Sequence, residues 1–133
     1  MSVRVNQKVA RGLSQELQAI TNEANIDTLA VITTTGARVA FFTKSSADAS
    51  EMSAIAASLV NSGGLAAHRL ELGNLSDVMV RGKNGFVILK SLKRFVLVGG
   101  AKNLEAFTKA ASVLVTHIPK LEAILADIPE DDW

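Results

Sequence analysis

The chain has 133 residues, 48% of them hydrophobic, and a formal net charge of +1 from 14 basic and 13 acidic side chains. That length suffices for one domain with its own hydrophobic core and no covalent or metal staple. The balanced charge excludes the electrostatic footprint of a nucleic-acid or anionic-membrane binder. The absence of cysteine removes disulfides, thiolate nucleophiles and cysteine-ligated metals. The N-terminal stretch lacks the apolar region of a signal peptide, Ser2 stands where myristoylation needs glycine, and no run of 18 apolar residues offers a membrane span. The expected location is cytoplasmic.

Apolar residues at Val9, Leu13, Leu17, Ile20 and Ala24 follow helical spacing, so a first helix is predicted from about residue 5 to 24, ended by Asn25 and Asp27. Two short β-branched and aromatic runs follow, Leu29 to Thr33 and Val39 to Thr43. Thr35-Gly36 between them makes a hairpin. Neither run alternates apolar with polar, so both faces of the sheet should be covered.

Asp48 with Glu51 three residues on marks a helix start of capping-box type. The second helix runs to about Leu70 and carries two stripes, at about 100° per residue. One is large: Met52, Ile55, Leu59, Ala66 and Leu70. The other is small: Ser53, Ala57, Val60, Gly64 and Ala67. A small stripe permits close approach of another backbone, and a helix on a sheet has one face to bury. The small stripe is therefore assigned to a symmetric second copy of the chain. Gly63-Gly64, costing about 1 kcal/mol each in a helix interior, is the competing sign of a break.

Three strands come next: residues 76–81, 86–90 and 94–98. Gly82-Lys83-Asn84-Gly85 joins the first pair, and 91–93 the second. Gly99-Gly100 is expected to break the sheet, and Asn103 to cap a third helix that buries Leu104, Phe107, Ala111, Leu114 and Ile118. Pro119 should kink or restart that helix, leaving an amphipathic extension at about 119–128. One domain over 1–133 in the order αββαβββα, an α+β fold with a five-stranded antiparallel sheet and helices on both faces, fits these elements.

A search for chemistry returns little. No phosphate-binding glycine loop and no nucleophile elbow occurs. Gly99 to Asn103 reads as a strand-to-helix turn rather than an anion site. His68 and His117 lie on different helices, without acidic neighbours at ligand spacing, and are read as surface or helix-end residues. Ser45-Ser46 is loop. Lys90, Lys93 and Arg94 are hairpin charge, and Trp133 is a candidate partner anchor against a plain tail reading. No catalytic, cofactor or metal site is assigned, and a ligand-sensor or enzyme reading has no convergent polar cluster behind it.

Four stretches carry a family likeness: 29–42, 51–60, 75–89 and 95–100. In pattern and order they resemble the roadblock family, which includes roadblock-type dynein light chains, scaffold subunits for Rag GTPases, and a bacterial polarity regulator that activates its GTPase. The likeness spans about Val9 to Ile118. It implies a profilin-like arrangement with helices 1 and 3 on one sheet face and helix 2 on the other. It also implies a homodimer through helix 2 and the middle strand, which adds Val78 and Val80 to the small stripe. The implied role is a non-catalytic scaffold or regulator of a Ras-like small GTPase, with Arg38, Arg69 and Arg81 as the arginines to test for a trans-acting role. The alternative is a structural module of a motor or membrane-scaffold assembly, indifferent to nucleotide.

Overall fold

The computed structural model describes residues 3–130. Its elements are α1 (Gln7–Ala24), β1 (Thr28–Thr33), β2 (Arg38–Thr43), α2 (Ala49–Arg69), β3 (Asp77–Arg81), β4 (Phe86–Leu92), β5 (Phe95–Ala101), a 3₁₀ turn (Leu104–Ala106) and α3 (Phe107–Leu125). The sheet has the order β2-β1-β5-β4-β3, with every pairing antiparallel.

The two inner strands next to the crossover, β1 and β5, are buried at every position. That is why their sequences run apolar without alternation. Cover comes from two sides. Val9, Leu13, Leu17 and Ile20 of α1 and Ala110, Leu114 and Leu121 of α3 form one core with Leu29, Val31, Ile88 and Leu97. Ala56 and Val60 of α2 form the other with Ala30, Ile32, Leu89, Val96 and Val98. Successive residues of each strand thus feed opposite cores.

Local signals set most boundaries. Asn6 accepts from the Val9 amide to open α1, and Asn25 closes it in the left-handed region at φ 56°. Asp48 accepts from the Ser50 and Glu51 amides at the start of α2, and Asn103 from the Glu105 amide.

Three sequence expectations are corrected. Gly99-Gly100 does not break the sheet. Both lie inside β5, opposite Ile88 and Val87 on one side and Leu29 and Thr28 on the other. A Cβ on Gly99 would stand 3.0 Å from Leu29 Cδ1, and one on Gly100 3.0 Å from the Phe86 carbonyl oxygen. The glycines serve close packing across the strand, not chain reversal. Second, β5 begins at Phe95, and the β4–β5 reversal is made by Lys93-Arg94, with Lys93 left-handed at φ 60°. Third, α3 runs unbroken through Pro119 to Leu125. The supposed extension is largely the end of that helix, and Leu121 and Leu125 within it and Ile128 just beyond it bury in the same core as its first turns. Tertiary packing there outweighs the lost backbone hydrogen bond of about 3 kcal/mol.

The Gly63-Gly64 pair also resolves into two different positions within one continuous helix. A Cβ on Gly63 would meet Val78 Cγ2 at 3.0 Å and Leu75 at 3.4 Å, whereas Gly64 faces open space within the subunit. Gly64→Ala is expected to raise stability by about 1 kcal/mol through helix propensity. Gly63→Ala is expected to gain less or lose stability, because the gain is set against a crowded Val78. Urea unfolding of the two variants side by side checks this, and equal gains would contradict the close approach at Gly63.

Candidate functional site: the outer face of α2 and the β3 edge

At about 100° per residue, the buried residues of α2 fall on one arc: Ser53, Ala56, Ala57, Val60 and Ala67. These include four of the residues that the sequence assigned to a partner. Ser53, Ala57, Val60 and Ala67 face the subunit's own sheet instead. The reason is visible at the β1–β2 turn, where Gly36 sits at φ 94° and a Cβ on it would lie 3.3 Å from Ala57 Cβ and 3.6 Å from the Ser53 carbonyl oxygen. Small side chains let α2 settle against that turn. Ser53 turns its hydroxyl back to donate to the Ala49 carbonyl at 2.7 Å, so it needs no outside acceptor.

The large stripe divides. Met52 and Leu59 lean against the second core. Ile55 and Leu70 point to solvent, 54% and 67% exposed, together with Leu65 and Leu72. On β3, Val78 is half-buried under α2, while Met79 and Val80 are exposed. β3 is an edge strand, paired on its β4 side only. The α2 side of the molecule therefore presents exposed apolar side chains of the helix and its C-terminal end, with Val80 on the same sheet face as Val78, beside the open β3 edge, while Met79 points to the opposite face. Exposed apolar clusters and open sheet edges are the usual marks of association. Of the seven expected interface residues, Gly64 and Val80 remain accessible on this side, and Val78 partly so.

The remaining candidates occupy other places. Arg38 is exposed at the start of β2, where its carbonyl accepts from the Val3 amide. Arg69 is exposed in the last turn of α2 beside His68. The Arg81 guanidinium lies 4.3 Å from the centre of the Phe107 ring, which itself meets Phe86 edge-on at 5.3 Å. The basic trio separates: Lys90 pairs with Asp77 at 2.8 Å, Arg94 donates to the Ile128 carbonyl at 2.7 Å, and Lys93 is exposed. After Gly99-Gly100, the Lys102 amide donates to the Asp27 carboxylate at 2.8 Å. The anion at that turn is the chain's own. Ser45 is absorbed by its loop, sharing a hydrogen bond with the Thr43 hydroxyl at 3.0 Å. Trp133 lies outside the described residues.

His117 is the residue that the sequence reading missed. Its ring touches two carboxylates of α1, Glu16 and Glu23. These lie 101 and 94 residues away in sequence, so nothing near His117 could reveal them. Burial alone would lower its pKa, but hydrogen bonds to Glu16 and Glu23, together with their charges, raise it above the usual histidine value.

Two open depressions, of about 530 and 580 Å³, are lined mainly by surface side chains such as Gln7, Arg11 and Gln15 in one and Asn61, Asn74 and Lys93 in the other. Among the described residues no group of three or more His, Asp or Glu could hold a metal ion, and no helix is long and apolar enough to cross a membrane.

Comparison with known proteins gives one family by sequence model and a shared fold by structure. The sequence model of the Roadblock/LC7 domain matches residues 13–99. The gliding protein MglB of Thermus thermophilus superposes with a TM-score of 0.84 at 13% identity, covering 96% of this chain and 98% of that one. An MglB in a tetrameric arrangement gives 0.85 at 13% identity, covering 95% and 96%. Myxococcus xanthus MglB gives 0.81 at 14% identity, covering 94% and 100%. At these identities the structural likeness is one of fold. No curated protein sequence matches the chain.

Proposed function

Since the chain belongs to the Roadblock/LC7 family, we propose that it acts as a non-catalytic, cytoplasmic homodimer that scaffolds or regulates a Ras-like small GTPase. The observation that carries the reading is the outer face of α2 beside the open β3 edge. Ile55, Leu65, Leu70, Leu72 and Val80 are exposed there, on a fold whose MglB relatives include a tetrameric arrangement. Two copies related by a two-fold axis would cover these side chains and pair their β3 edges, closing an isologous interface. The dimer would then offer a surface that binds one conformation of the GTPase switch region better than another and so shifts its population. Any effect on hydrolysis would come through repositioning of the GTPase's own groups. Of the arginines considered for a trans-acting role, Arg38 and Arg69 are exposed, whereas Arg81 already stacks on Phe107.

Light scattering coupled to size-exclusion chromatography tests the proposal. The protein alone should elute as a dimer. Mixed with Ras-like GTPases of its source organism, it should shift to a larger complex in one nucleotide state, GDP or a GTP analogue, and not in the other. Equal binding in both states would favour the structural-module alternative, and a monomer that binds none would overturn the proposal.

A further inference from the structure

His117 is half-buried on the side of α3 that faces α1. Its Nδ1 lies 2.9 Å from Glu16 Oε2 and its Nε2 lies 2.8 Å from Glu23 Oε2. A neutral imidazole has one N–H and can donate to only one of these. Both contacts are satisfied as hydrogen bonds only when both ring nitrogens carry protons. Glu16 is 5% exposed at its side chain, and its second oxygen meets Lys120 Nζ at 3.4 Å, while Glu23 is 53% exposed. The charged groups that meet the ring or its partners are therefore Glu16 and Glu23 from α1 and Lys120 from α3, three residues beyond the histidine.

We propose that imidazolium His117, bridging Glu16 and Glu23, is a protonation-dependent latch between α1 and α3, and that its outer half opens when the ring loses a proton. The two halves are unequal. Glu16 is buried and keeps Lys120, so the remaining proton of a neutral ring stays on Nδ1, toward Glu16, where an unmatched carboxylate costs most. The Nε2 lone pair then faces the Glu23 carboxylate, two acceptors at hydrogen-bond distance, and Glu23 swings into solvent. Glu23 lies in the last turn of α1, two residues before the left-handed Asn25 and three before Ile26, whose amide donates to the Thr21 carbonyl. Opening is thus felt at the C-terminal turn of α1, while Gly12 against Ile124 at the other end of the seam is untouched.

The direction of the pH effect follows from linkage. The folded-state pKa is raised above the ordinary histidine value, so the latch contributes fully below that ordinary value. Its contribution is lost as pH rises through the higher folded value.

The test uses the full-length protein. The ¹⁵N shifts of the His117 ring, followed by NMR from pH 5.5 to 9, should show both nitrogens protonated at the acid end. The midpoint should lie above the ordinary histidine value. Glu23→Gln should lower the His117 midpoint, and amide exchange at the C-terminal turn of α1 should quicken above the midpoint in the wild type. His117→Gln keeps one amide donor and cannot titrate, so its α1 exchange profile should lose that pH-dependent step. A His117 midpoint at or below the ordinary histidine value, or the same step persisting in His117→Gln, would overturn the proposal. The readouts require neither a GTPase nor a dimer.

Discussion

Gly85→Ala is expected to destabilise the fold by about 3 kcal/mol, the upper end of overpacking costs. A Cβ at this position would collide with the Ala101 carbonyl oxygen and lie 2.9 Å from Lys102 Cα. Both obstacles are backbone, so no side chain can rotate away. Relief requires moving the start of β4 from the end of β5, where Phe86 opposes Ala101. Phe86 also anchors Phe107 and, through it, Arg81, so the strain reaches the first turn of α3. Gly82, the residue that follows the end of β3, is the internal control. The nearest atom to a Cβ there is the Gly85 carbonyl oxygen at 3.9 Å, and Gly82→Ala should change stability by less than about 0.5 kcal/mol. Urea denaturation measures both. A Gly85→Ala midpoint close to wild type would mean that the β4–β5 approach is looser than described.

The second large effect is on association. Ile55→Asp with Leu65→Asp should convert the proposed dimer to monomer without unfolding it. Both side chains are exposed, at 54% and 57%, so the isolated subunit loses little by their replacement, within about 0.5 kcal/mol each. In a dimer covering this face, each carboxylate would be desolvated at an apolar contact, at about 2 kcal/mol or more per hot-spot position. Each chain of a two-fold pair carries both changes, so the effect is counted twice. Ala57→Leu makes the opposite prediction. Ala57 is buried against the β1–β2 turn, so the larger side chain should cost about 1–3 kcal/mol of folding stability rather than dissociate the dimer. Circular dichroism and light scattering on the same samples separate the two effects. An intact dimer in the double variant would place the interface elsewhere.

The sequence by itself determined the elements, because element signals are local. Helical spacing of Leu13, Leu17 and Ile20, the caps Asp48 and Asn103, and the unbroken apolar runs of β1 and β5 each act within a few residues of their effect. Gly82 to Gly85 was placed correctly as a turn, although it contains no left-handed residue. Gly85 is required by its contact with Ala101 across the sheet. The two stripes of α2 were legible, but the small one, apart from Gly64, is buried within its own subunit. A stripe of small residues announces close approach without saying to what. Only the fold shows that the close neighbours are the Gly36 turn and, at Gly63, Val78 and Leu75, and that Ile55 and Leu70 of the large stripe stay outside. Pro119 was read by its local cost, whereas burial of Leu121 and Leu125 carries the helix past it. The His117 pair of carboxylates was invisible for the plainest reason. Helix packing brings together residues about a hundred positions apart, and no window of sequence contains both.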